Sequence, residues 1–273
     1  MSATLSDWQR APSVRAEVNY LLPMDRRPQI VNDDYSRNDM DLVGVEVDIA
    51  DASRLERQPS IDREGFTLVT DGVLLGSEVV EERQLETYRN ALAGIMRTFT
   101  GADEVAIAPT SIVRRQQPSA GVGDAPPVNF IHSDYSEKGP EQIRPRYGPP
   151  TQPGVRRTAL FNMWKLLSTG PTDRPLALCD ARTVAPEDMV PGDSRFLASD
   201  FVFETAFFRH AVGHRWYYYP ALRHDEIIVF KQGDTDAACP RFVPHTAFTD
   251  RSCPDGAEPR VSLELRCRAV WFD

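Results

Sequence analysis

Val128-Asn-Phe-Ile-His132-Ser-Asp134-Tyr135 is an apolar segment into which one imidazole and one carboxylate intrude two positions apart. On an extended strand residues i and i+2 face the same way, so His132 and Asp134 project together while Ser133 turns aside. Two histidines and one carboxylate form the facial triad of non-haem Fe(II) sites, which leaves adjacent coordination positions open. This segment supplies two of the three. The run Arg241-Phe-Val-Pro-His245-Thr-Ala-Phe248, with its histidine 113 residues further on (245 − 132), supplies the third. The gap has room for the strands of a double-stranded β-helix.

Outward from these two segments the pattern agrees. Short runs rich in β-branched and aromatic residues, separated by Pro and Gly clusters, predict strands at 104–114, 128–135, 157–167, 175–180, 200–203, 215–219, 226–231, 241–248 and 260–272. Many short strands predict a mainly β fold with flanking helices, a double-stranded β-helix of the jelly-roll, cupin-like kind. Leu85, Tyr88, Leu92, Ile95, Met96 and Phe99 recur at helical spacing. They predict an amphipathic helix over 77–100, capped by Ser77, with Glu78, Glu81, Glu82 and Glu86 near its positive end. A second helix is expected around 200–210, and 139–154 reads as a loop. Residues 1–60, short on periodic pattern, are expected to form an arm packing on a single β domain over 61–273.

Composition narrows the partners. The chain carries 40 Asp+Glu against 31 Lys+Arg, a net charge of −9, and has no Lys/Arg cluster, so nucleic acid is not the expected ligand. No apolar run approaches the ~20 residues that span a bilayer. Met1-Ser-Ala-Thr-Leu-Ser-Asp-Trp8 lacks a basic segment followed by an apolar one, so a cytoplasmic location is expected. Cys179, Cys239, Cys253 and Cys267 have no C-x-x-C spacing, which argues against structural zinc or a dithiol centre. The expected partner is a small molecule.

An iron site of this type needs an electron-donating co-substrate. In the 2-oxoglutarate-dependent class the remote carboxylate of the keto acid meets a buried cation, for which the planar fork of arginine is suited. In Pro259-Arg-Val-Ser-Leu-Glu-Leu-Arg-Cys-Arg268 one parity is polar (Arg260, Ser262, Glu264, Arg266, Arg268) and the other apolar. With the apolar parity under helices, the polar parity points into the barrel. Arg260 with Ser262 is the first choice of anchor, and Arg266 the second. Asn162 on a central strand is a candidate to hydrogen-bond the keto acid, and Trp164 reads as core.

Seven segments in this order carry a resemblance: His132-Ser-Asp-Tyr135, Asn162-Met-Trp-Lys165, Pro175-Leu-Ala-Leu-Cys-Asp-Ala-Arg182, His214-Arg-Trp-Tyr-Tyr-Tyr-Pro220, Glu226-Ile-Ile-Val-Phe-Lys-Gln-Gly-Asp234, Pro244-His-Thr-Ala-Phe248 and Pro259-Arg-Val-Ser-Leu-Glu-Leu-Arg266. From about Ile61 onward the chain resembles the oxygenase family that includes the cephamycin 7-alpha-hydroxylase component, a gibberellin desaturase and fungal meroterpenoid oxygenases. The resemblance implies a double-stranded β-helix, Fe(II), 2-oxoglutarate and O2. It carries His132, Asp134 and His245 over as iron ligands, with hydroxylation or desaturation of a specialised metabolite and release of succinate and CO2. Members of this family also carry a methyltransferase label. No glycine-rich strand-to-helix turn of the kind that holds nucleotide-like cofactors is present here.

Two other readings stand beside this one: a cupin-like metalloenzyme that uses no keto acid, and a non-catalytic accessory subunit. His210 and His214, spaced like a helical metal pair, read instead as a capping or core histidine and a surface histidine, and His224 as exposed. Arg114, Arg115 and Gln116 read as a solvated strand end, although either arginine is placed to meet an anionic substrate.

Overall fold

Apolar and polar residues alternate from Val261 to Arg268 along the strand Val261–Phe272, which organises the smaller of two sheets. It pairs with Val155–Leu166 over its whole length, and Val155–Leu166 pairs in turn with Glu226–Asp234. Phe66–Thr70, Glu104–Ile107, Ile112–Arg115 and Asp124–Ala125 complete seven strands. The computed structural model describes residues 6–75, 82–116 and 124–273, apart from the side chains of residues 145 and 146.

One face of this sheet is closed by the helix Glu82–Thr100. Leu85, Tyr88, Leu92 and Met96 pack on Phe161, Met163, Leu263, Leu265 and Cys267. Each such buried side chain contributes roughly 1.5–3 kcal/mol of transfer free energy. The helix is therefore held by its stripe, as expected; Ser77, Glu78 and Glu81 lie outside the described residues. With the apolar parity under the helix, Arg260, Ser262, Glu264 and Arg268 are buried on the opposite face, between the sheets.

The second sheet has nine strands, in the order Ser13–Leu21, Leu42–Asp51, Trp216–Tyr218, Leu176–Cys179, His245–Ala247, His132–Ser133, Phe201–Phe208, Met189–Phe196 and Gln29–Val31. The two sheets face each other as a double-stranded β-helix. Trp164, Leu166, Leu178, Tyr217, Ile228, Phe230 and Val243 fill the space between them at one end. No helix of the described residues is long and apolar enough to cross a membrane.

Three expectations change. Residues 13–51 are no unpatterned arm: Ser13–Leu21 and Leu42–Asp51 form a nine-pair antiparallel ladder that extends the larger sheet, and Gln29–Val31 forms its other edge. The helix expected around 200–210 is the strand Phe201–Phe208, whose aromatic and β-branched residues pair with Met189–Phe196 and with His132–Ser133. Within 139–154 the chain makes a short helix, Gly139–Ile143, started by Pro140 and anchored by the buried Ile143.

Candidate metal centre

His132 and His245 sit directly opposite each other on neighbouring antiparallel strands. Such cross-strand neighbours share a face, and their ring centroids are 4.3 Å apart. The same local device holds each ring. Nδ1 lies 3.0 Å from the carbonyl oxygen two residues earlier, that of Phe130 for His132 and of Val243 for His245. A carbonyl only accepts, so Nδ1 carries the hydrogen and Nε2 keeps its lone pair. Both Nε2 atoms face Asp134 Oδ1, each at 3.7 Å. One donor atom from each of the three buried residues lies within 4.8 Å of the others, a spacing that takes a single ion.

The surroundings set the charge of each donor. Burial and the neighbouring His245 push His132 down to about 3, and burial also lowers His245. Both imidazoles are therefore neutral lone-pair donors at physiological pH. Burial alone would raise Asp134, but Arg266 and then the two histidines hold it well below the usual carboxylate range.

Hydrogen bonds from Arg266 and Asn162 fix which oxygen of Asp134 is available. Arg266 donates to Oδ2 from Nε at 2.8 Å, with Nη2 at 2.6 Å, and Asn162 Nδ2 donates to the same oxygen at 3.1 Å. Oδ2 is thus committed, and Oδ1 is left toward the histidines. Gln232 Oε1 accepts from the Asp134 backbone N–H and from the Ser133 hydroxyl, both at 2.9 Å, which pins the strand itself. Arg266 Nη2 also donates to Glu264 Oε1 at 2.8 Å, and Glu264 Oε2 accepts from Arg114 Nε at 2.8 Å.

Two cavities open from the triad. His132, His245, Trp164, Arg114, Arg260 and Glu264 line one of about 300 Å³ counted with the open space at its mouth. Arg260 is 2 % exposed there. Its Nε donates to Ser262 Oγ at 3.1 Å, its Nη1 to the Arg174 carbonyl at 2.9 Å, and its guanidinium stacks over Trp164 at 4.9 Å. Among the described residues it makes no ion pair. Burial, and then the like charge of Arg114, lower it to about 9, which leaves it charged at neutral pH. The other cavity, about 600 Å³ with its mouth, is bounded by His132, Asp134 and Arg266 on one side and by Phe130, Phe196, Phe203 and Phe207 on the other.

His132, Asp134, His245, Asn162 and Arg266 thus come together, and Arg260 with Ser262 lies in the adjoining cavity. Arg266, the second choice as keto-acid anchor, is occupied by Asp134 and Glu264 and so is not free for that task. Asn162 gives its amide nitrogen to Asp134 and Glu264 rather than to the cavity. Arg114 is buried, not a solvated strand end. Its parity held the signal: Val113 packs on the helix side, so Arg114 must face inward. The two histidines exchange the places expected of them: His214 is the core one, between Tyr20 and Asp188, and His210 is exposed.

Fold and site together define a class: a double-stranded β-helix oxidoreductase with a two-histidine, one-carboxylate triad in its barrel. The chain belongs to the family described as oxidoreductase/YMDC permease-like domain, whose model matches residues 18–270. It is 26 % identical over 221 residues to an Fe(II)/2-oxoglutarate-dependent dioxygenase, nvfI, of Aspergillus novofumigatus, covering 76 % of each chain. It is 28 % identical over 249 residues to the hydroxylase/desaturase efuI of Hormonema carpetanum, covering 80 % of this chain and 81 % of that one. The solved structure of the iron and alpha-ketoglutarate-dependent endoperoxidase NvfI shares its fold, with a TM-score of 0.80 at 21 % identity over 96 % of this chain and 98 % of the other.

Proposed function

We propose that this chain is an Fe(II)/2-oxoglutarate-dependent oxygenase that hydroxylates or desaturates a small, largely apolar specialised metabolite. His132, Asp134 and His245 hold the metal, and Arg260 with Ser262 anchors the remote carboxylate of the keto acid. Bound iron with 2-oxoglutarate and O2 supplies the oxidising power, and the keto acid leaves as succinate and CO2. The observation that carries this reading is the pairing of a preset triad with a buried guanidinium that has only neutral partners.

Charge supports the fit. Arg114, Arg260 and Arg266 against Asp134 and Glu264 leave one positive charge (3 − 2 = 1) around two neutral histidines. A divalent ion makes that three, and the dianion of 2-oxoglutarate returns it to one. The chain's own part is placement. The Phe130 and Val243 carbonyls orient the imidazoles, Arg266 and Asn162 present one oxygen of Asp134, and four phenylalanines exclude water from the substrate side. Neither nucleic acid nor membrane enters this reading.

Anaerobic titration with Fe(II) and 2-oxoglutarate is the test. A weak visible charge-transfer band is expected from such a chelate, absent in His245→Ala. With O2 and a metabolite panel, succinate should form in step with substrate loss. No band in the wild-type chain would sink the proposal. A band without succinate formation would favour a metal site that uses no keto-acid turnover.

A further inference from the structure

A larger cavity, about 1450 Å³ including its open mouth, shares no lining residue with the two cavities at the triad. Its walls come from residues 136–150, the strand Val155–Leu166, the strand Val261–Phe272 and the bulge between Lys231 and Gly233. The bulged residue is Gln232, and re-aiming one side chain is what a bulge does.

Charge is unevenly matched here. Arg144, Arg156, Arg241 and Arg268 face Glu137, Glu141 and Asp234. Arg241 is paired with Glu137 at 3.0 Å, and Asp234 is taken by Lys231 at 2.5 Å and Arg157 at 2.6 Å, neither of which lines the cavity. Among the described lining residues what remains is three guanidiniums against Glu141, an excess of two positive charges (3 − 1 = 2), in a chain whose net charge is −9. Among the described residues Arg144, Arg156 and Arg268 make no ion pair.

Two buried donors on these walls also lack acceptors. Gln232 is 1 % exposed and Arg268 5 %. Among the described residues Gln232 Nε2 and Arg268 Nε have no hydrogen-bond partner. Buried N–H groups are nearly always satisfied by protein, water or ligand, so a pair of them on one cavity is open to an acceptor from outside the chain. Leu160, Tyr147, Val155 and Phe242 add apolar wall, so an inorganic ion would leave most of the space unused.

We propose that this cavity is a second binding site, for a small organic carboxylate. Its anionic group lies against Arg268, Arg144 and Arg156, and its apolar body rests on Leu160, Tyr147 and Phe242. The site is independent of the keto-acid pocket, because Arg260 and the triad lie outside its lining.

Isothermal titration of the full chain with 4-phenylbutyrate tests this, with 4-phenylbutanol and inorganic phosphate as controls. One saturable site is expected for the carboxylate and none of comparable affinity for either control. The double variant Arg144→Gln/Arg156→Gln changes two exposed side chains that the fold does not need. It should weaken binding about tenfold or more, as expected for lost charge-assisted contacts. Binding should be unchanged by saturating 2-oxoglutarate with Fe(II) and in Arg260→Met. Absence of saturable binding, or an unchanged double variant, overturns the site. Equal binding of the alcohol overturns the anion, equal binding of phosphate overturns the organic ligand, and displacement by 2-oxoglutarate or loss in Arg260→Met moves the probe to the keto-acid pocket.

Discussion

Lys165 and Arg260 are both buried beside the smaller sheet, one behind it and one in front, and their partners differ in kind. Behind the sheet, Lys165 Nζ donates to both oxygens of Asp71, at 2.9 and 2.8 Å, and Tyr88 of the covering helix donates its hydroxyl to the same carboxylate. In front, Arg260 has a hydroxyl, a carbonyl and an indole face, but no carboxylate among the described residues. A charge that ties helix to sheet is closed by its counter-ion. A charge left with neutral partners in a cavity is open to a ligand that brings one.

The largest effect should come from opening the closed pair. Asp71→Ala leaves Lys165 buried without its counter-ion and should lower unfolding free energy by about 3–5 kcal/mol in urea titration. Replacing both, as Asp71→Leu/Lys165→Met, should recover most of the loss, since a buried pair exchanged for apolar volume is often near neutral. A loss under about 1 kcal/mol in the single variant would remove the distinction between the two cations.

Arg260→Met probes the open one. Stability should hold or rise, because a desolvated charge is removed. The half-saturating concentration of 2-oxoglutarate should rise about a hundredfold, matching the loss of a bidentate charge-assisted contact, with much of the turnover regained at saturation. A stability loss comparable to that of Asp71→Ala would make Arg260 a second structural cation instead.

Arg266 lies between these extremes: a cation closed by carboxylates, one of which belongs to the triad. Arg266→Gln frees Asp134 Oδ2 and should weaken Fe(II) binding about 10–100-fold, the usual cost of losing an outer-shell partner. Arg266→Lys should restore only part of that, since a single ammonium cannot repeat the two-nitrogen grip on Asp134. Metal affinity is the readout, because a purely structural role would leave it unmoved.

How far the sequence carries this picture depends on which face a residue serves. The two-residue spacing of His132 and Asp134 and the alternation from Arg260 to Arg268 were legible, because buried apolar faces leave a strict period. Ser13–Leu21 has that period too, with Ala16, Val18 and Tyr20 buried between Arg15, Glu17 and Asn19. Its solvent face is so charged that the segment reads as an arm. Phe201–Phe208 misreads as helix for another reason: pairing partners on both sides, and not local propensity, decide it. Glu264 was visible as an inward position but Arg114 was read as a strand end, and their mutual bond across neighbouring strands depends on a register that only the fold supplies.

The smallest effect concerns pH and extends the comparison to histidine. His132, His245 and His214 are all held below the ordinary value, by burial first. His214 is the closed case. Its Nε2 lies 3.2 Å from Asp188 Oδ2, and Tyr20 Oη lies 3.0 Å from Nδ1. With Nε2–H donating to the carboxylate, Tyr20 must be the donor to Nδ1, which is the neutral ring. An unfolded histidine takes up its proton near pH 6.5, whereas these three stay neutral to lower pH. The unfolded state then binds more protons below about pH 6.5, so stability of the metal-free protein falls as pH falls through that value and keeps falling toward the folded pKa values. Urea titrations at pH 8 and pH 5.5 should show the loss, and His214→Gln should reduce it without touching Fe(II) affinity. His132→Ala should reduce it too, but with metal binding lost. An equal drop in all three proteins would place the acid sensitivity in the carboxylates, where Asp134 and Glu264 are held low by their arginines.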